Sequence, residues 1–254
     1  MKNRTILSLI TVATLALMNG CGSSNGNGTG NNNGTSATNT ELPYDVQIAI
    51  DAPTSTLSQE LTNTLAYMGN EERLAYDVYN YLYTKFGTKQ FTNIATKSEY
   101  KHITAVQQLV QKYKLDDTSN FTNVDLPTLG YKNTLIESMQ AGVYDISKIQ
   151  ALYDDLTAQG SASEIEALKV GCTVEVVDVT DLDEYIAIAK SDNVTDIVTV
   201  FNFLRDGSYH HYWAFDKGLK KNGVTDGCCT WNELCHPEYP QNEKGKDAKG
   251  KGKK

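Results

Sequence analysis

The chain has 254 residues, a net charge of −8 at pH 7, 40% hydrophobic residues and five cysteines. That length suits one good-sized domain plus tails. Setting aside residues 1–20 and 242–254 removes eight basic and two acidic residues and leaves 15 Lys+Arg against 29 Asp+Glu, a body of net charge −14, which excludes nucleic acid as a natural partner.

Residues 1–20 read as a secretory signal, with Lys2 and Arg4, an apolar run over 6–18 and small residues before Cys21. The run is too short for a comfortable membrane span. Leu17-Met18-Asn19-Gly20-Cys21 resembles a bacterial lipobox, with Met18 where the pattern prefers Leu. The resemblance implies lipidation of Cys21 and a membrane partner through that anchor. An ordinary secreted protein with a stray cysteine is the alternative. Residues 21–55, nearly all Gly, Asn, Ser and Thr up to Thr40, are expected to be a flexible tether. Gly22 after the cysteine favours an outer-membrane or surface address, so the expected location is the cell envelope.

The body, 56–225, reads as helical throughout, with no run of strand alternation. A first long helix is expected from Thr56, which could cap it with Gln59, to a stop at Gly87. At about 1.5 Å per residue that is about 45 Å of helix, a bundle length. Its stripe is Leu65, Met68, Glu72, Ala75, Tyr79, Leu82, Phe86. A second helix, 91–113, carries Phe91, Ala95, Ser98/Glu99, His102, Val106, Leu109, Tyr113. Shorter pieces are expected around 135–139 and 146–158. A third long helix begins at Ser161/Ser163 with the stripe Ile165, Leu168, Cys172, Glu175, Val179, Leu182, Ile186. A fourth, over 194–221 before Gly223, has Val194, Ile197, Phe201, Leu204, Ser208, His211, Phe215. Four long amphipathic helices, with a long connection between the second and third, outline an all-α, ferritin-like four-helix bundle.

Each long helix interrupts its apolar stripe with an ionisable group. Glu72 is inward while Glu71 is placed about 100° round. Glu99 and His102, three apart, share a face. Glu175 is followed a turn later by Asp178, and His211 points inward while His210 faces elsewhere. The spacings Glu72 to Glu99 (27 residues) and Glu175 to His211 (36 residues) suit antiparallel pairs meeting at one level. Carboxylates and imidazoles are ligands for iron, manganese or zinc in a bundle core. The four acids Glu72, Glu99, Glu175 and Asp178 would balance two divalent ions. Tyr79 could bond to the site or relay electrons, though with fifteen tyrosines in the chain core packing is the simpler expectation.

The segment Glu72-Arg-Leu-Ala-Tyr-Asp-Val-Tyr79, the run Phe91-x-Asn93-Ile94-Ala95 leading into Ser98-Glu99-x-x-His102, and Gly207-Ser208-x-x-His211-x-x-Ala214-Phe215 resemble an uncharacterised ferritin-like domain family of bacteria and archaea. More distantly the chain is similar to rubrerythrins and other di-iron carboxylate proteins. The resemblance covers about 57–225. It implies metal ligands at Glu72, Glu99, His102, Glu175 and His211, and two iron or manganese ions per chain. It also implies oxidase, peroxidase or ferroxidase chemistry with oxygen or peroxide. The chain departs from the pattern at Ser208, where a glutamate is expected. Either Asp178 makes up that loss or a second metal binds weakly. The alternatives are a non-catalytic metal-binding or metal-sequestering module and a structural surface lipoprotein. A homodimer is compatible with the sequence, whereas a closed iron-storage cage is not expected of a tethered chain. The sequence names no redox partner.

After the last helix, residues 226–241 hold Cys228, Cys229 and Cys235. With Cys172 they are available for disulfides, the simplest arrangement in an exported protein. A zinc or copper site using Cys235 and His236 is the alternative. Residues 242–254, rich in lysine and glycine, read as a solvated tail.

Overall fold

The computed structural model describes residues 41–115, 140–144 and 146–241. The leader over 1–20, Cys21, the tether up to residue 40, the helical piece at 135–139 and the tail over 242–254 lie outside the described residues. Among the described residues every regular element is helical, so the all-α expectation holds.

The chain forms α1 (Tyr44–Asp51), α2 (Gln59–Phe86) and α3 (Lys89–Ile94). A π-helical turn (Ala95–Glu99) leads into α4 (Tyr100–Lys112), followed by α5 (Ser147–Gly160), α6 (Glu164–Ser191) and α7 (Thr195–Lys221). Two 3₁₀ turns, Gly227–Thr230 and Asn232–Leu234, close the body. Among the described residues no helix is long and apolar enough to cross a membrane.

Local chemistry sets the ends. Ser58, not Thr56, caps α2: its Oγ accepts from the Leu61 N–H at 3.1 Å. Gly87 ends α2 at φ 66, a left-handed conformation that glycine adopts without steric cost. Ser163 caps α6, accepting from the Glu166 N–H. The packed body also begins earlier than expected. Residues 44–51 of the presumed tether are helical, and Leu42, Val46 and Ile50 are buried against the bundle. Ile165, expected in the core stripe, is 37% exposed.

The helices α6 and α7 form a tightly packed hairpin, and α2 packs on α4, α5 and α6. The core is split in two. At one end Leu65, Met68, Ile103, Val106, Leu182, Phe201 and Leu204 pack together. At the other, Val78, Tyr79, Phe91, Leu168, Cys172, Tyr212 and Phe215 do so. On each long helix the residues between these two sets are polar: Glu72 on α2, Glu99 and His102 at the π turn and α4, Glu175 on α6, Ser208 and His211 on α7. The bundle thus carries a buried polar layer sandwiched between two apolar ones.

Disulfides join Cys172 to Cys228 and Cys229 to Cys235. The first ties the N-terminal third of α6 to the segment after α7. With Cys235 oxidised and His236 bound to Glu238 at 2.8 Å, the zinc or copper alternative has no thiolate and falls away.

Candidate metal centre

The π turn decides which residue of the second helix enters the polar layer. In a regular α-helix Ser98 would lie within about 20° of Phe91 and Glu99 would be about 80° round. The one extra residue of a π turn gives Glu99 the inward place instead, leaving it 2% exposed and Ser98 only partly buried.

The five histidines and glutamates expected to converge do so. Nδ1 of His102 lies 3.0 Å from Glu72 Oε2 and 3.0 Å from Glu99 Oε2. Nδ1 of His211 lies 3.1 Å from Glu99 Oε1 and 3.3 Å from Glu175 Oε2. Glu72, Glu99 and His102 form one triad and Glu99, Glu175 and His211 a second; within each, the ligand atoms lie within 4.8 Å of one another. Glu99 belongs to both, one oxygen turned to each imidazole. The two rings are 5.6 Å apart, tilted by 30°.

Asp178 is partly exposed and belongs to neither triad, but Ser208 Oγ donates a hydrogen bond to its Oδ2. The carboxylate from α6 therefore sits against the hydroxyl that α7 carries in place of an acid. Tyr79, wholly buried, donates to Glu175 Oε1 and fixes that carboxylate. Its ring packs on Phe91 and Phe215, so it has both roles weighed for it. Gly207 is a site residue that the sequence analysis missed. A Cβ there would stand 2.4 Å from His102 Nε2, so only glycine lets the ring lie against the α7 backbone. Glu71, placed off the inward face, is also buried.

The electrostatics are those of a buried, acid-rich cluster. Burial first, and then the Glu99 charge, hold Glu72 well above the ordinary carboxylate range. Burial, and then Glu72 and Glu175, do the same to Asp178. Burial raises Glu175 too, partly offset by His211. For Glu99 burial is outweighed by the two imidazoles, and its carboxyl is held below the usual range. For His211 burial is outweighed by Glu99 and Glu175, which hold the imidazole well above its ordinary value.

Two buried atoms facing the triads test whether a metal fits. Glu72 Oε1 has no hydrogen-bond partner, and His211 Nδ1 makes none despite its two close carboxylates, whereas His102 Nδ1 is hydrogen-bonded to Glu72 Oε2 at 3.0 Å. A buried unsatisfied polar group costs about 1–3 kcal/mol. Atoms that are close but misaligned for hydrogen bonds are arranged as they would be around an ion. The donor set, oxygen with one imidazole nitrogen per triad, fits iron, manganese or zinc.

The profile of a family described as "Uncharacterized protein domain (DUF2202)" matches residues 62–230. The chain is 36% identical over 171 residues to the uncharacterized protein MJ0754 of Methanocaldococcus jannaschii, covering 67% of this chain and 81% of the relative. The crystal structure of hypothetical protein MJ0754 from Methanococcus jannaschii is similar at a TM-score of 0.57 and 37% identity. The match covers 68% of this chain and 86% of that one. The name of this relative states no function.

Proposed function

The chain belongs to the DUF2202 family of uncharacterized domains, and from that premise we propose that its bundle is ferritin-like and holds a dinuclear iron or manganese centre. The observation that carries the reading is Glu99, whose two carboxylate oxygens face two different imidazoles. Glu72, Glu99 and His102 would hold one ion, and Glu99, Glu175 and His211 the other. Asp178 would act for the acid absent at Ser208. When bound, such ions supply Lewis acidity and, by changing oxidation state, electrons for oxygen or peroxide. The residues around them do the rest. The apolar layers exclude water, Tyr79 orients Glu175, Ser208 orients Asp178, and Glu72 and Asp178 give up protons as cations bind.

One observation favours a second reading, metal sequestration without turnover: α7 offers the Ser208 hydroxyl, bonded to Asp178, where the resemblance expects a carboxylate. The proposal also includes export and anchoring through Cys21, supported by the leader pattern.

Elemental analysis of protein purified without chelator tests the centre. Two ions per chain are expected, and Glu99→Ala should lose both because it removes the shared ligand. No metal after reconstitution with ferrous or manganous ions would sink the proposal. Consumption of peroxide or oxygen by the loaded protein separates turnover from sequestration. Release of acyl-labelled protein into detergent, abolished in Cys21→Ser, tests the anchor.

A further inference from the structure

Four acids recur at intervals of three along α6: Glu175, Asp178, Asp181 and Glu184. Side chains three apart on a helix are neighbours, and each step of three turns the direction back by about 60°. The series therefore leaves the polar layer and winds to the flank of the bundle. Glu175 is buried, Asp178 partly exposed, Asp181 8% exposed and Glu184 open to solvent.

The opposite wall comes from α2. Glu71 is 7% exposed and faces Asp181, each carboxyl raised by burial, while its Oε2 is buried without a partner. One turn earlier the Tyr67 hydroxyl is likewise buried and unpartnered, next to the same two acids. The rings of Tyr67 and Tyr185 meet edge-on at 6.5 Å. From α5, which packs on both helices, the Lys148 ammonium lies 4.8 Å over the Tyr67 ring and is the nearby countercharge to Glu71 and Asp181. The centre makes no use of Glu71, Asp181 or Tyr67. Two carboxyl groups and a phenol leave most of a cation's coordination to water, which suits passage better than retention.

We propose that Glu184, Asp181, Glu71 and Asp178 form a route by which hydrated divalent cations pass from the α5 flank to the buried centre, displacing Lys148 as they enter. The inference rests on the metal reading above and adds to it the path by which the site fills. Glu184, at the solvent end of the series, draws cations to it, and the carboxyl oxygens behind it offer ligands in turn.

The test is stopped-flow loading of the metal-free full chain with Co²⁺, followed by visible absorbance, with stoichiometry measured at equilibrium. The Glu71→Gln/Asp181→Asn double variant should load about tenfold more slowly, within the range for electrostatic steering, with unchanged final stoichiometry. Glu184→Gln, a solvent-facing change that spares the packing, should slow loading in the same direction. Lys148→Met should speed it. Unchanged rates in the double variant and in Glu184→Gln overturn the route. So does loss of a bound cation at equilibrium in the double variant, which would make the pair a storage site. A wild-type chain that takes up no Co²⁺ overturns the metal reading itself, a separate outcome.

Discussion

Gly207→Ala sets two effects of opposite sign against each other. In the interior of α7 alanine is a better helix former than glycine, which alone would stabilise the protein by about 1 kcal/mol. The added Cβ, however, would stand 2.4 Å from His102 Nε2 and 2.5 Å from its Cε1. Ordinary contact begins near 3.4 Å, so ring or helix must move by about 1 Å. His102 has little room to give: it is 1% exposed, its Nδ1 meets Glu72 and Glu99 at 3.0 Å, and Phe203 stands edge-on at 5.3 Å. Overpacking of this kind costs about 1–3 kcal/mol. The expected net effect is a loss of up to about 2 kcal/mol. Metal sites tolerate only about 0.5 Å of ligand displacement, so the sharper effect falls on binding. Calorimetric titration with Mn²⁺ or Co²⁺ should show one of two cations weakened at least tenfold while the other is retained. Gly218→Ala, on the same helix but facing Leu168 at 3.0 Å, should keep both. A Gly207→Ala protein that melts higher and binds two cations as the wild type does would refute the reasoning.

Four further outcomes follow from the same geometry. Burial holds Glu72, Asp178 and Glu71 well above the ordinary carboxylate value and raises Glu175 and Asp181, and Glu99 and Glu175 hold His211 above its ordinary value. Their contribution to stability is therefore full below the unfolded values and lost as pH rises through the folded ones. Glu99, held low, acts oppositely and only in acid, losing its contribution as pH falls through its folded value. The metal-free protein should thus melt lower at pH 8 than at pH 5.5, and loaded protein should resist the decline because its ligands bind deprotonated; a metal-free melting point that climbs over that interval contradicts the assignment. Tyr79→Phe removes the donor to Glu175 and should weaken cation binding about 10–100-fold, the range for partners of ligands, with two ions still bound at saturation. Asp178→Asn should weaken one cation and spare the other; equal affinity for both would take Asp178 out of the centre. Cys172→Ser opens a loop of 56 residues, worth about 4 kcal/mol by loop-closure entropy, and denaturant unfolding of the oxidised and substituted proteins measures it.

Much of the architecture was legible because long helices state their period repeatedly. The stripe from Leu65 to Leu82 and that from Leu168 to Ile186 each run several turns, and one polar interruption in each was enough to align Glu72 with Glu175. What escaped was what departs from that period. The ambiguity between Ser98 and Glu99 was the trace of the π turn, and regular periodicity could not resolve it. Gly207 carries no side chain, so its close approach to His102 exists only between helices. Glu71 looked peripheral when α2 was considered alone; α5 and α6 cover it. The helix α1 was hidden because the polar composition before it runs to Thr40 and only Leu42, Val46 and Ile50 mark the change.

The Cys172–Cys228 bond has one more consequence. Cys172 lies one turn before Glu175, and Cys228 follows the helix that carries His211, so the two sulfurs meet only after α6 and α7 have docked. The bond works as a latch on a finished hairpin. Once it is closed, any loosening of α2 and α4 would leave Glu175 and His211 tethered side by side. On the proposed metal reading, emptying the centre and dismantling the protein would be separate events, and refilling would start from a half-site already assembled.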